Sequence, residues 1–229
     1  MGKLVISPAA RKRAKKLKHS HVHVGWNSHH KFYANVRPFW PRQIRVGSTA
    51  KKKLKESAGD VVLSWSSAKG FRCKETAPPK PSKRQVAVKY AVESLKYAGR
   101  MVYTEGPGRS ELFNRPPGDF VGAGADCSQF VSSIMHWAGI SNVNDQDATG
   151  TLLQKGKAVQ GPAYARLVVF GPGGGVHTGM FTRHDKKGGH WYLTQFGDQA
   201  QPNEIELTDA EEYFRERGEP GVRFLDFFE

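Results

Sequence analysis

The sequence predicts an α+β domain preceded by a basic N-terminal arm, and three observations lead there. Of the 35 Lys+Arg in the 229 residues, 21 fall within residues 1–85, beside only three acids, Glu56, Asp60 and Glu75. The remainder holds 14 basic and 18 acidic residues, so a formal net charge of +14 conceals a strongly basic third and a mildly acidic two-thirds. Between them, Thr76-Ala-Pro-Pro-Lys-Pro-Ser82 is proline-rich and is expected to be an extended, semi-rigid linker, which divides the chain into 1–82 and 83–229. Beyond the linker, helix-spaced apolar residues come first and strand-like runs follow, the order of an α+β fold.

The elements follow in chain order. Arg11-Lys-Arg-Ala-Lys-Lys-Leu-Lys18 and Lys51-Lys-Lys-Leu-Lys55 are basic runs, with Trp26, Phe32, Tyr33, Phe39 and Trp40 between them. Val61-Val-Leu-Ser-Trp65 is the one strand-like segment of this part, which reads as a partly ordered arm, with or without a short sheet, that settles on a partner. No internal repeat stands out. From Arg84 to Tyr97, apolar residues at 88, 91, 92 and 95 predict a helix that stops at Gly99. A loop rich in Gly and Pro runs from Glu105 to Gly124. Cys127 to Ala138 places Phe130, Val131, Ile134, Met135 and Ala138 on one helical face, with Asp126 as N-cap and Gly139 as stop. Leu167–Phe170, Val176–Thr182, His190–Phe196 and Val222–Phe228 read as strands.

Several classes drop out on composition. No run approaches the ~18 apolar residues of a membrane span. The opening MGKLVISPAARKR has too short an apolar stretch, and charges on the wrong side, for a signal peptide. Two cysteines, Cys73 and Cys127, cannot build a disulfide framework. His19, His21 and His23 alternate, and His29 and His30 follow. The Lys and Arg around them repel a cation, and no carboxylate or Cys lies at a matching spacing, so no metal site is assigned.

Cys127 is the sharpest position for chemistry. It opens a helix, where unpaired N–H groups and the helix dipole favour a thiolate. A strand carrying His177 follows 50 residues later, after the glycine turn Gly171-Pro-Gly-Gly-Gly175. A Cys at a helix start and a His on a sheet are what a nucleophile–base pair needs.

Tyr103-Thr-Glu-Gly, Gly124-Ala-Asp-Cys-Ser-Gln-Phe-Val131, Trp137-Ala-Gly139, Ala148-Thr-Gly-Thr-Leu-Leu153, Leu167-Val-Val-Phe-Gly171, Val176-His-Thr-Gly-Met-Phe181 and the closing Val222-Arg-Phe-Leu225 resemble the NlpC-type cysteine peptidases, over roughly residues 84–229. Within that family the likeness is to the peptidase domains of endolysins from phages of actinobacteria. The resemblance implies a papain-like fold and cleavage of amide bonds in the stem peptides of peptidoglycan, with no metal or organic cofactor. By position, Cys127 would be the nucleophile and His177 the base. Asp126 and Ser128 would hold the substrate's peptide end, and Tyr103 would border the oxyanion site. For the third residue, which orients the base, alignment puts Phe196 where the family has a polar side chain. Gln195 fills that place if the strand register is displaced by one, and His190 and Asp198 are further candidates. Arg166 stands where the family often has Asp.

The resemblance further implies a protein made in the host cytoplasm, acting at the bacterial wall or carried in a virion. Residues 1–82 have three candidate partners, nucleic acid, anionic wall polymers or virion proteins, and composition alone does not choose among them. The alternative to a peptidoglycan hydrolase is a catalytically impaired peptidase-fold virion protein whose basic arm binds nucleic acid or structural partners.

Overall fold

The computed structural model describes residues 2–17, 20–29, 31–38, 44–57, 59–77, 80–197 and 202–228. His19, His30, Phe39, Trp40, Asp198 and the linker prolines Pro78 and Pro79, all singled out above, lie outside the described residues, as does the side chain of His21. The chain divides into two compact units, Met1–Lys80 and Pro81–Glu229.

The first unit departs from the partly ordered arm expected of residues 1–82. Its described residues form β1 (Leu4–Ile6), α1 (Pro8–Lys15), β2 (Ser20–Asn27), β3 (Lys31–Pro38), β4 (Ile44–Val46), α2 (Ser48–Glu56), β5 (Val61–Ser66) and β6 (Gly70–Glu75). The reason is that the basic residues lie on the outer faces of the two helices, while small and β-branched residues between them meet in a core. Ala10, Val22, Val24, Ala50, Val61 and Leu63 are all fully buried.

This unit is also an internal repeat that the sequence hid. It reads β-α-β-β twice, and its two sheets, β1-β5-β6 and β4-β2-β3, have the same order once the halves are exchanged. In each sheet the parallel pair joins the two halves: Leu4 pairs with Val61 and Ile6 with Leu63, as Ile44 pairs with Val22 and Val46 with Val24. The hairpins match as well, Trp26 opposite Phe32 and Trp65 opposite Phe71. Each hairpin turn ends on a residue of positive φ, Lys31 at 54° and Gly70 at 66°. Even the helix entries agree, with the Ser7 N–H donating to Leu63 O and the Gly47 N–H to Val24 O.

The second unit is a mixed α/β body built on one antiparallel six-stranded sheet. Its elements are α3 (Lys83–Ser94), β7 (Val102–Tyr103), β8 (Gly124–Ala125), α4 (Cys127–Trp137), α5 (Thr149–Lys155), β9 (Lys157–Val159), β10 (Leu167–Phe170), β11 (His177–Asp185), β12 (His190–Phe196), β13 (Pro202–Glu206), α6 (Leu207–Glu216) and β14 (Val222–Asp226). The sheet runs β13-β12-β11-β10-β14-β9. Side chains alternate across it. Leu167, Val169, Met180, Phe196 and Leu225 join the core formed with α3 and α4, whereas Val168, Phe170, Phe181 and Leu193 meet Ala210 and Phe214 of α6. A capping box between Ser82 and Gln85 starts α3, and Gly99 (φ 72°) stands beyond the short 3-10 turn that follows it.

Asp226 ties this unit together. Its carboxylate accepts two hydrogen bonds from Arg84 of α3 (2.7 and 2.8 Å) and one from Arg166 (3.2 Å), which also donates to the carbonyls of Gln160 and Gly161. Burial pushes the Asp226 carboxyl up, but the bonds from Arg84, the Phe228 N–H and Arg166 together outweigh it and hold the group below the usual carboxylate range. Arg166 therefore has a structural partner in this chain. Asp226→Ala leaves two cations facing an emptied site and is expected to destabilise the Pro81–Glu229 unit by about 2 kcal/mol. Arg84→Ala, which keeps Arg166 as a partner, is expected to cost less. Thermal unfolding of both variants checks the order.

Candidate active site

The site is assembled at the start of α4. Asp126 is the N-cap, and its Oδ1 accepts from the Gln129 N–H (2.7 Å) and from the Ser128 hydroxyl (2.7 Å). Its other oxygen accepts from Arg109 Nε, and the same guanidinium donates to Ser128 Oγ (3.1 Å) and to the Asp147 carbonyl. Gln129 Nε2 reaches that carbonyl too, at 2.7 Å, and Lys155 pairs with the Asp147 carboxylate at 2.5 Å. Asp126 and Ser128, which the resemblance assigns to substrate binding, thus spend their polar atoms inside a buried network. Arg109, unremarked in the sequence, is its centre. It lies in a Gly- and Pro-rich loop where no periodicity marks a half-buried charge.

This network holds Cys127 in the first turn of α4 with the side chain 6 % exposed. Burial is the main reason its thiol is pushed up to about 12, and the charges of Asp126 and Glu105 push the same way. The N–H groups of Thr178 and Ser128 pull the other way without prevailing. The resting sulfur is therefore a thiol, contrary to the thiolate expected from the helix dipole alone. Desolvation outweighs the field of one helix terminus here.

Helix α4 packs on β11, and Thr178, the residue after His177 on that strand, is one of the two whose N–H acts on the sulfur. Three features shape that strand's entrance. Arg223 of β14 donates to the carbonyls of Gly171 and Gly173, both at 2.5 Å, and Thr149 of α5 donates to Gly175 O at 3.1 Å. Gly175 itself, at φ 81°, has no room for a side chain, since a Cβ would lie 2.4 Å from Val169 Cγ1.

His177 Nε2 is 2.9 Å from Gln195 Oε1. With that oxygen as acceptor, Nε2 carries the hydrogen, and Nδ1 is then the basic nitrogen of the neutral ring. The imidazole stacks on Phe214 of α6 at 5.4 Å. The register explains why Gln195 and not Phe196 is the neighbour. Gly179 lies opposite Gln195, so Gln195 is diagonal to His177 on β12. Phe196 points into the core against Phe130 and Tyr103, each at 5.6 Å. His190 bonds Glu206 at 2.6 Å at the other end of β12, far along the strand from Gln195.

Tyr103 lies beside Ala125 in the two-stranded β7–β8 ribbon, two residues before Cys127. Its hydroxyl donates to Glu105 at 3.1 Å. Burial, the nearby Cys127 sulfur and Glu105 all raise its pKa. Tyr103, Glu105, His177 and Gln195 line a cleft of about 400 Å³ together with Tyr213 and Phe214 of α6. Among the described residues, no group of three or more His, Cys, Asp or Glu is placed to hold a metal ion, and no helix is long and apolar enough to cross a membrane. Helix α6 escaped the sequence reading, although Leu207, Ala210 and Phe214 carry a helical spacing that identifies it.

No protein-family profile matches the chain, and no curated protein matches it. Among solved structures it is similar to RipB, a peptidoglycan hydrolase of Mycobacterium tuberculosis. The two are 20% identical over 66% of this chain and 69% of that one, with a TM-score of 0.39, a likeness too distant to carry an argument.

A thiol at about 12 has a reactivity signature. In a Cys73→Ser background, alkylation of Cys127 by iodoacetamide at pH 7 is expected to run about a thousandfold slower than that of an exposed thiol. The rate should rise about tenfold per pH unit and still be climbing at pH 10. A plateau below pH 8 would mean that a neighbouring cation holds the sulfur ionised.

Proposed function

We propose that residues 83–229 form a papain-like, NlpC-type cysteine peptidase domain that cleaves amide bonds in peptidoglycan stem peptides. The observation that carries this reading is the placement of the Cys127 sulfur. It opens a buried helix that packs on β11, near the N–H of Thr178, next in sequence to a His177 whose Nε2 is engaged by Gln195. A Cys, a His and an amide-bearing third residue are the parts of a nucleophile–base–orienter set. The motif resemblance over residues 84–229 supplies the substrate class. Glu105 and Glu219, with Arg217 between them in the chain, give the cleft both signs of charge, which suits a peptide bearing free ammonium and carboxylate groups.

In this reading the Cys127 sulfur attacks the carbonyl carbon as its proton passes to His177 Nδ1. The carbonyl oxygen becomes an oxyanion that the Cys127 N–H can face, near Tyr103. The intermediate collapses by expelling the amine, which takes the proton from His177 and leaves a thioester. His177 then accepts a proton from water as the water attacks, and the thiol is restored with release of the acid. Because the resting group is a thiol, proton transfer to His177 has to accompany attack, and the hydrogen bond to Gln195 fixes the tautomer that can receive the proton.

A second reading is a peptidase fold with impaired catalysis, and the near-complete burial of Cys127 favours it. Turnover on purified cell walls separates the two. Cys127→Ala and His177→Ala are each expected to lower release of soluble fragments at least about a hundredfold without loss of folding. His184→Ala, which removes a ring stacked on Trp191 at 4.4 Å, is expected to stay within about threefold. A wild-type chain no faster than Cys127→Ala would support the impaired reading.

Gln195 offers a finer check. Gln195→Ala is expected to lower kcat by about tenfold to a hundredfold while leaving KM nearly unchanged, because it acts on the base and not on the substrate. Gln195→Asn should recover part of the loss.

A further inference from the structure

The repeat in the Met1–Lys80 unit extends to residues that folding does not require. Counterparts in the two halves lie 39 or 40 positions apart, and most core positions correspond by packing: Ala10 with Ala50, Ala14 with Leu54, Val22 with Val61, Val24 with Leu63. The helix surfaces correspond too. Arg11, Lys12, Arg13 and Lys15 of α1 match Lys51, Lys52, Lys53 and Lys55 of α2, each forty residues on. All but Lys53 are exposed, so no buried contact demands a cation there. The helix dipole favours the cations in each last turn, and Lys53 pairs with Glu56 at 2.6 Å, but the crowding of like charges along both helices is not offset by any acid in either first turn. One cation of each set packs over a tryptophan of the other half: Arg13 over Trp65 at 5.2 Å and Lys53 over Trp26 at 5.0 Å.

Exchanging the halves maps each sheet onto the other and, applied twice, restores the start, so the unit has an approximate two-fold axis and two equivalent basic helices. A polyanion that uses both helices equally must itself present equivalent negative groups related by a two-fold. The phosphates of a nucleic-acid duplex do so at every base pair, because the two strands are antiparallel. A single directional polymer, such as a wall glycan or one nucleic-acid strand, does not. The charge is sufficient, with 19 Lys+Arg against three acids in residues 1–80.

We propose that the Met1–Lys80 unit binds duplex nucleic acid through its phosphates, independently of base sequence, with α1 and α2 engaging the duplex equivalently. This goes beyond the hydrolase reading and does not depend on it.

The test uses the full chain and a fluorescent 20-base-pair DNA duplex, followed by anisotropy over a salt series. Two triple variants neutralise one helix each: Arg11→Gln with Lys12→Gln and Lys15→Gln, and Lys51→Gln with Lys52→Gln and Lys55→Gln. Each is expected to raise Kd about tenfold or more at 0.1 M salt, the two agreeing within about threefold. Each should also flatten the slope of log K against log salt by roughly 2–3, about 0.9 for every phosphate no longer neutralised. Lys186→Gln with Lys187→Gln, in the β11–β12 turn of the other unit, removes surface charge elsewhere and should change little. Melting curves for all variants separate weakened binding from unfolding. An effect confined to one helix set overturns the proposal. So does a single strand of equal length bound as tightly as the duplex, or purified cell wall bound more tightly, which would assign the surface to a directional polymer.

Discussion

The Asp126 carboxylate is a negative charge set under the start of a buried helix, and the layout of the second unit around it follows from the need to satisfy that charge. An unpaired carboxylate in such a place is costly, so every neighbour turns a donor toward it: the Gln129 N–H, the Ser128 hydroxyl and the Arg109 guanidinium. Arg109 brings with it the long loop before β8, and its hydrogen bond to the Asp147 carbonyl brings the segment that leads into α5. Two stretches of chain distant in sequence are thereby fixed to the turn that presents Cys127. The same charge works against ionisation of the sulfur beside it, as burial does more strongly. In the proposed reaction the sulfur therefore enters as a thiol, and its proton has to move to the base as attack proceeds.

The sheet supplies the other half of the arrangement through parity. Along β12 the step from Gln195 to Phe196 crosses from the cleft to the core, and the large side chain takes the core. A phenylalanine at 196 packs Phe130 of α4 against the sheet, so it secures the helix that carries the sulfur while its neighbour holds the imidazole. Position 195, on the cleft side, is where a polar residue reaches His177. An amide does this without adding a charge, which matters in a cleft that already contains Glu105 close to the sulfur.

Local rules made parts of this legible in the sequence. The two long helices of the second unit were marked by caps and stops, Asp126 and Gly139 for α4 and Gly99 beyond α3, and four strands by short apolar runs between glycine or charged turns. Edge elements were not. Strand β13 opens on a proline and alternates weakly, and α6 is so rich in Asp, Glu and Arg that its three core residues were overlooked. At the site, Cys127 and His177 stood out by residue type and context. The choice between Gln195 and Phe196 needed a pairing register, which is a property of two strands together. The N-terminal repeat was hidden for a related reason. Its halves share few identities, scattered from Ala10 and Ala50 in the helices to tryptophan and phenylalanine at the hairpins, and its parallel pairs join segments that no window along the chain compares.

The exchange of first strands between the halves has a consequence for how the chain is made. In β1, Leu4 finds its partner at Val61, so the strand of this unit that is made first is among the last to be paired. Neither half can complete a sheet from its own residues, because each sheet borrows its parallel edge from the other. During synthesis the early hairpin must wait, with Val22 and Val24 uncovered, for the strand at 44–46 and the helix that follows it. Such non-local pairing slows folding and lengthens the time that apolar edges remain open. Like charges on both helices repel other copies through that interval, so the surface pattern proposed for recognition also opposes association while the chain is incomplete.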